Sequence, residues 1–191
     1  MSLVFISGSR GIRRLDVGVQ LRLERIIDKK LPVLIGDANG ADKAVQGYLI
    51  SRGYDLVEVF CAGETPRNNV GGWKLRRIQP SHAKRDFDYY ASKDREMARE
   101  ATLGLLIWDG ESGGTLMNVL RLVSQQKTAV VYINPQKAFS EIRSRGDFDK
   151  LTRDLGEAAK GRLLEQAIRE GLMQPRDEER ALPSAVTAER R

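Results

Sequence analysis

The chain has 191 residues, a formal charge of +6, 41% hydrophobic and 30% charged residues, which is the makeup of a globular domain able to bury about 70% of its unfolded surface. A lone cysteine, Cys61, excludes a disulfide framework, and one histidine and one cysteine leave little for zinc. No apolar run reaches membrane-spanning length and no basic leader precedes the first apolar run, so a cytoplasmic setting without a membrane partner is expected.

Short apolar runs alternate with longer amphipathic stretches. Residues 3–7 read as a strand closed by Gly8-Ser9-Arg10-Gly11. Apolar positions Val17, Leu21, Leu23, Ile26 and Ile27 give residues 17–30 helical spacing. Val33-Leu34-Ile35 form a second strand, and residues 41–51 a second helix with Gly53 as its stop signal. Residues 56–60 are the third strand. The pattern then lapses over residues 61–85, which hold Gly, Pro and Asn among several Lys and Arg. A span of that length is a functional lid or a loop with a small element inside it. Helical spacing resumes at residues 87–101, followed by a strand at 103–108, a helix at 112–126 and a fifth strand at 129–133.

Five such runs joined by helical crossovers predict an α/β fold, a Rossmann-like three-layer sandwich with a mostly parallel sheet of five or more strands. This unit spans residues 1–135, and Asn134-Pro135 ends it. Residues 136–173 keep a roughly helical stripe through Phe139, Phe148, Leu155, Leu163 and Leu172. They are expected to pack back on the sheet as helices or to serve as a dimer arm, so a homo-oligomer is expected. Residues 174–191 have many charges and no period, and are expected to form a mobile tail.

Ligands of an open parallel sheet collect beyond the carboxyl ends of its strands, and three Gly-rich turns fall at that place. Gly8, Ser9 and Arg10 follow strand one. Gly36, Asp37, Gly40 and Asp42 follow strand two. Asp109, Gly110, Glu111, Ser112, Gly113, Gly114 and Thr115 follow the strand at 103–108 and open a helix whose free N–H groups suit a phosphate, with Arg10 or Arg95 adding charge. Asp37, Asp42 and Asp109 supply carboxylates for sugar hydroxyls, and the same Asp37, Asp42 and Ser112 are also of the type that caps helices. Trp73, Tyr89 and Tyr90 are aromatics able to stack on a base, or to serve as core. His82 has no triad partner near it in sequence, and Cys61 reads as a buried small hydrophobe. No dinucleotide fingerprint or Walker loop is present.

Gly8-Ser9-Arg10, Gly36-Asp37-x-x-Gly40-Ala41-Asp42, Asp94-x-x-Met97 and Trp108-Asp109-Gly110-x-Ser112-x-Gly114-Thr115, in that order, resemble the SLOG superfamily. This group includes the Lonely Guy phosphoribohydrolases and the DNA-processing protein A fold. The YspA/YpsA-related branch is the most similar, over about residues 3–133. The resemblance implies a Rossmann-like domain for nucleotides or nucleotide-derived ligands. It does not carry the enzymatic residues with it. Lys93 stands where the phosphoribohydrolase pattern has Arg, and Asn118 where it has a catalytic Glu. An amide is neither a nucleophile nor a general base.

The leading expectation is therefore a protein that binds or senses a nucleotide-like small molecule, a nucleoside phosphate or ADP-ribose-like compound, with no separate cofactor and no metal. A second is an N-glycosidic hydrolase or transferase using a relocated carboxylate, for which Asp109, Glu111 and Glu64 are the candidates. A third is single-stranded nucleic-acid binding through Arg13, Arg14, Lys74, Arg76, Arg77, Lys84 and Arg85.

Overall fold

The structure is a computed structural model that describes residues 2–175. The chain runs β1 (Val4–Gly8), α1 (Val17–Asp28), β2 (Val33–Gly36), α2 (Ala41–Ser51), β3 (Val57–Ala62), β4 (Lys74–Ile78), α3 (Phe87–Glu100), β5 (Leu103–Trp108), α4 (Gly113–Ser124), β6 (Thr128–Ile133), β7 (Ala138–Ile142), α5 (Arg145–Leu151) and α6 (Glu157–Arg169). Among the described residues the strands form one seven-stranded sheet, in the order β4-β3-β2-β1-β5-β6-β7. All neighbours are parallel except β7, which runs antiparallel to β6. The expected Rossmann-like α/β sandwich is the observed fold.

The alternation of side chains along β1 builds both halves of the core. Phe5 joins Leu34, Phe60 and Leu106 against Met97 and Ala98 of α3 and Leu116 of α4. Val4 and Ile6 point the other way, to Leu23 of α1 and Val45 and Leu49 of α2. Fully burying a side chain such as Phe5 or Leu106 contributes about 1.5–3 kcal/mol. Helix starts are held by side-chain caps: Asp16 accepts from Gly18 N–H at 2.9 Å and Asp86 from Tyr89 N–H at 3.1 Å.

Two strands were illegible in the periodicity. β4 lies inside the 61–85 segment and carries charge on an edge, with Arg76 bridging Glu58 at 3.0 Å and Glu100 at 2.8 Å. Charged edge strands lack apolar alternation because solvent, not a second layer, faces them. β7 follows a short 3-10 turn, Asn134–Gln136, and pairs Phe139 with Tyr132. The 136–173 extension thus adds a strand to the sheet as well as helices. Those helices pack back on their own chain: Leu163, Ala167 and Met173 join the core beside α4. Of residues 174–191, expected to form a mobile tail, those from 176 onward lie outside the described residues. Among the described residues no helix is long and apolar enough to cross a membrane.

Candidate functional site

The sheet reverses its order between β1 and β5, since β2 to β4 build out one way and β6 the other. A crevice beyond the strand ends is expected at such a point. There, a cleft of about 530 Å³ opens between the first turns of α3 and α4. Gly8, Arg10, Asp42, Ser112, Gly113, Gly114 and Thr115, all anticipated from the sequence, line it. A second chamber, of about 810 Å³, adjoins it and shares Arg67, Arg85 and Tyr90 with it as a common wall.

The turns converge because their backbones pack on one another. Gly40 has φ +87°, and a Cβ on it would stand 2.3 Å from the Arg10 carbonyl oxygen. Only glycine fits that conformation and that distance. Ser9 is fully buried behind the cleft: its hydroxyl lies 3.1 Å from the Thr115 hydroxyl and accepts from Asp109 N–H at 3.1 Å. It staples the first turn to the third rather than lining the cleft. Asp109 is likewise turned inward on its own loop, its Oδ1 accepting from Glu111 N–H at 3.1 Å and Ser112 N–H at 2.8 Å. Ser112, the N-cap of α4, makes no capping hydrogen bond with its side chain. The first amides of α4 therefore open on the cleft with the positive end of the helix dipole behind them.

The cleft floor is a row of buried charge. Lys93 is 3% exposed and its ammonium lies 2.5 Å from Asp94 Oδ1. Asn118 donates to Ser7 Oγ at 3.0 Å and to Asp94 Oδ2 at 3.3 Å, and accepts from Arg121. Asp42 is 2% exposed: Oδ2 accepts from Ala38 N–H at 3.2 Å, whereas Oδ1 has no hydrogen-bond partner among the described residues. Burial pushes the Asp42 carboxyl up to about 7, with the negative charges of Asp94 and Asp37 adding to the rise and Lys93 opposing it. Burial works against the Lys93 charge too, but Asp94, Asp42 and Asp37 together hold its pKa above the ordinary value. Gly36 lets this row close up, because a Cβ there would meet Asp42 Oδ2 at 2.4 Å and Lys93 Nζ at 2.7 Å.

Asp37, expected beside a sugar, faces the second chamber and is already engaged. Arg67 grips it with Nη2 at 2.7 Å, Nε at 3.1 Å and backbone N–H at 2.9 Å. Burial raises the Asp37 carboxyl, yet these hydrogen bonds and the charges of Lys93 and Arg67 outweigh it and leave the pKa lowered. The Arg67 guanidinium lies 4.4 Å over the Tyr90 ring, and Tyr90 meets Tyr89 edge-on at 5.1 Å. Both tyrosines line the chamber, as do Gln79 and His82. His82 Nε2 is 2.9 Å from Asp86 Oδ1.

Other sequence candidates lie elsewhere. Trp73 does not stack in the site; it is a core residue whose indole N–H donates to Tyr54 O at 3.2 Å. Arg95 does not line the cleft, being bound to Glu170 at 3.1 Å and to Asp88 O at 3.1 Å. Gly110 belongs to the Asp109 turn, with φ +93°. Glu111 lines a separate hollow near α6, and Glu64 stands 74% exposed on the chamber rim, bonded to Gln79. None of the three carboxylates expected to be catalytic lines the cleft. Among the basic residues considered for nucleic acid, Lys74 and Arg76 are paired to Glu58. Among the described residues no group of three or more His, Cys, Asp or Glu is arranged to hold a metal ion.

Ser7 and Arg67 are site residues that the sequence reading did not name; Arg85 was named only for nucleic acid and Asp94 only within the resembling motif. Asp94 had a signal, since it interrupts the apolar stripe of α3 formed by Tyr90, Ala91, Met97, Ala98 and Ala101. A charge at a core position needs a partner. Arg67 had none, because its partner Asp37 lies 30 positions away across the sheet edge. Comparison with family models, with curated proteins and with solved structures gave no match in any of the three.

Proposed function

We propose that this cleft binds a nucleotide-derived ligand, a nucleoside phosphate or an ADP-ribose-like compound. The phosphate rests on the amides of Gly113, Gly114 and Thr115, flanked by Arg10. A sugar hydroxyl donates to Asp42 Oδ1, and the base lies in the adjoining chamber against Tyr90 and Tyr89. The observation that carries this reading is one cleft whose lining holds two opposite chemistries. One is a helix N-terminus without a side-chain cap, and the other a buried carboxylate with an oxygen unpartnered among the described residues. An anion suits the first and hydroxyl donors suit the second, and a sugar phosphate carries both. The resemblance of the Gly-rich turns to SLOG proteins supports the same ligand class.

The test is calorimetric titration of AMP and ADP-ribose into the wild-type protein and Gly114→Val. A Cβ at Gly114 meets only Phe87 Cε2, at 3.9 Å, so the variant keeps its fold while the side chain obstructs the amides. Wild-type binding weakened by about tenfold or more is expected, the scale of losing one well-placed charged hydrogen bond. Equal affinity in the variant, or no uptake by the wild type, refutes the reading.

One observation favours turnover as a second reading. A buried carboxyl with a pKa near 7 on the cleft wall has the properties of a general acid–base. In N-glycosidic hydrolysis water adds to C1′, the base leaves with the electrons of the C1′–N bond, and Asp42 would move the proton. Free base released from AMP by the wild type but not by Asp42→Asn is the signature of that reading.

A further inference from the structure

Glu170 follows the last turn of α6, as its C-cap, in the part of the chain that lies outside the resembling region. A carboxylate there opposes the negative end of the helix dipole. Its side chain is nevertheless only 6% exposed, and both oxygens are occupied. Oε2 accepts from Arg121 Nε at 2.9 Å. Oε1 accepts from Arg121 Nη2 at 2.6 Å, Arg95 Nη1 at 3.1 Å and Gln166 Nε2 at 3.2 Å. Arg95 belongs to α3 and Arg121 to α4, the two helices whose first turns wall the cleft. One carboxylate thus ties together the two sides of the opening.

The tie continues inward. Arg121, 3% exposed, donates through Nη1 to Asn118 Oδ1. With its oxygen so fixed, the Asn118 amide turns its NH₂ toward Ser7 Oγ and Asp94 Oδ2. The flipped amide would set NH₂ against guanidinium and oxygen against carboxylate, two repulsive contacts. Ser7 Oγ, accepting from Asn118, keeps its own proton to donate, and Ser7 lines the cleft.

We propose that Glu170 is a positioning residue of the ligand cleft: by holding Arg121 and Arg95 it fixes the Asn118 amide, and through it the hydrogen-bonding faces that Ser7 and Asp94 offer a ligand. The C-terminal extension is then part of the site's machinery, although none of its described residues lines the cleft. The affinity arm of the test rests on the nucleotide reading; the spectroscopic arm does not.

The experiment uses the full chain labelled with ¹⁵N, comparing wild type with Glu170→Gln, which keeps size and removes charge, and with Glu170→Asp. The side-chain amide resonances of Asn118 are expected to shift in Glu170→Gln and to return partway in Glu170→Asp. AMP affinity is expected to fall about fivefold in Glu170→Gln, the scale of one net hydrogen bond. Inorganic phosphate, which rests on the α4 amides and Arg10, should bind wild type and Glu170→Gln within about twofold of each other. Unchanged Asn118 resonances in folded Glu170→Gln overturn the proposal, as does unchanged AMP affinity where the wild type binds AMP. If the wild type takes up no AMP, the nucleotide reading falls while the Asn118 resonances still decide the role of Glu170.

Discussion

Lys93 and Glu64 are charged side chains beside adjoining hollows, yet the first is 4% exposed and the second 74%. Around Lys93 stand Asp94, Asp42 and Asn118, each fixed by partners that are themselves buried or half-buried. Glu64 meets Gln79 and, at 3.9 Å, Arg77 in open solvent. The difference teaches how one site divides its labour. Charges withdrawn from water interact strongly and hold their geometry before a ligand arrives, at the cost of desolvation. Rim charges are screened, rearrange freely and add little to stability.

The largest expected effect breaks the floor itself. Lys93→Met removes the cation from among three carboxylates and breaks its ion pair with Asp94, so unfolding free energy at pH 7 should fall by about 3–5 kcal/mol. Urea denaturation reads this directly. A loss under about 1 kcal/mol would show that the floor is no more demanding than the rim.

A smaller effect isolates Asp42. Its carboxyl titrates near 7 in the fold but near 3.8 as an unperturbed group. Between those values the folded chain holds a proton that the unfolded chain has lost. The contribution of Asp42 to stability is therefore greatest at low pH and declines as pH rises toward 7, with no further change above it. Asp42→Asn cannot titrate, so its stability relative to wild type should rise from pH 5 to pH 8. Parallel curves across that range would contradict the burial argument. Glu64→Gln gives the smallest change: at an exposed rim position, thermal or urea unfolding should move by less than about 0.5 kcal/mol. A loss comparable to that of Lys93→Met would erase the distinction between floor and rim.

Much of the fold could be read from periodicity. Residues 41–51 and 103–108 were bounded as observed, and the other central elements fell within a few residues. The central strands are covered by a packed layer on each face and the helices bury one face against the sheet, so burial writes itself into their apolar spacing. β4 and β7 were not legible, since edge strands take their pairing from a neighbour and their side chains from solvent. In the site, glycines marked the turns, because tight reversals and close backbone approach restrict residue choice locally.

What the sequence determined by itself was the position of the three turns at one end of a parallel sheet, a consequence of strand–helix alternation and right-handed crossovers. Which carboxylates remain free was decided only by tertiary structure. Asp37 precedes α2 and Asp42 lies in its first turn, five positions apart, and the residue types alone do not say which keeps a free oxygen. Arg67 arrives from a loop beyond β3 and occupies Asp37, while Asp109 accepts from its own turn. Asp42, closed in by α3, keeps an oxygen without a partner among the described residues. Hydrogen bonds are saturable and burial is a property of the assembled layers, so the free group is the one that long-range packing leaves unsatisfied.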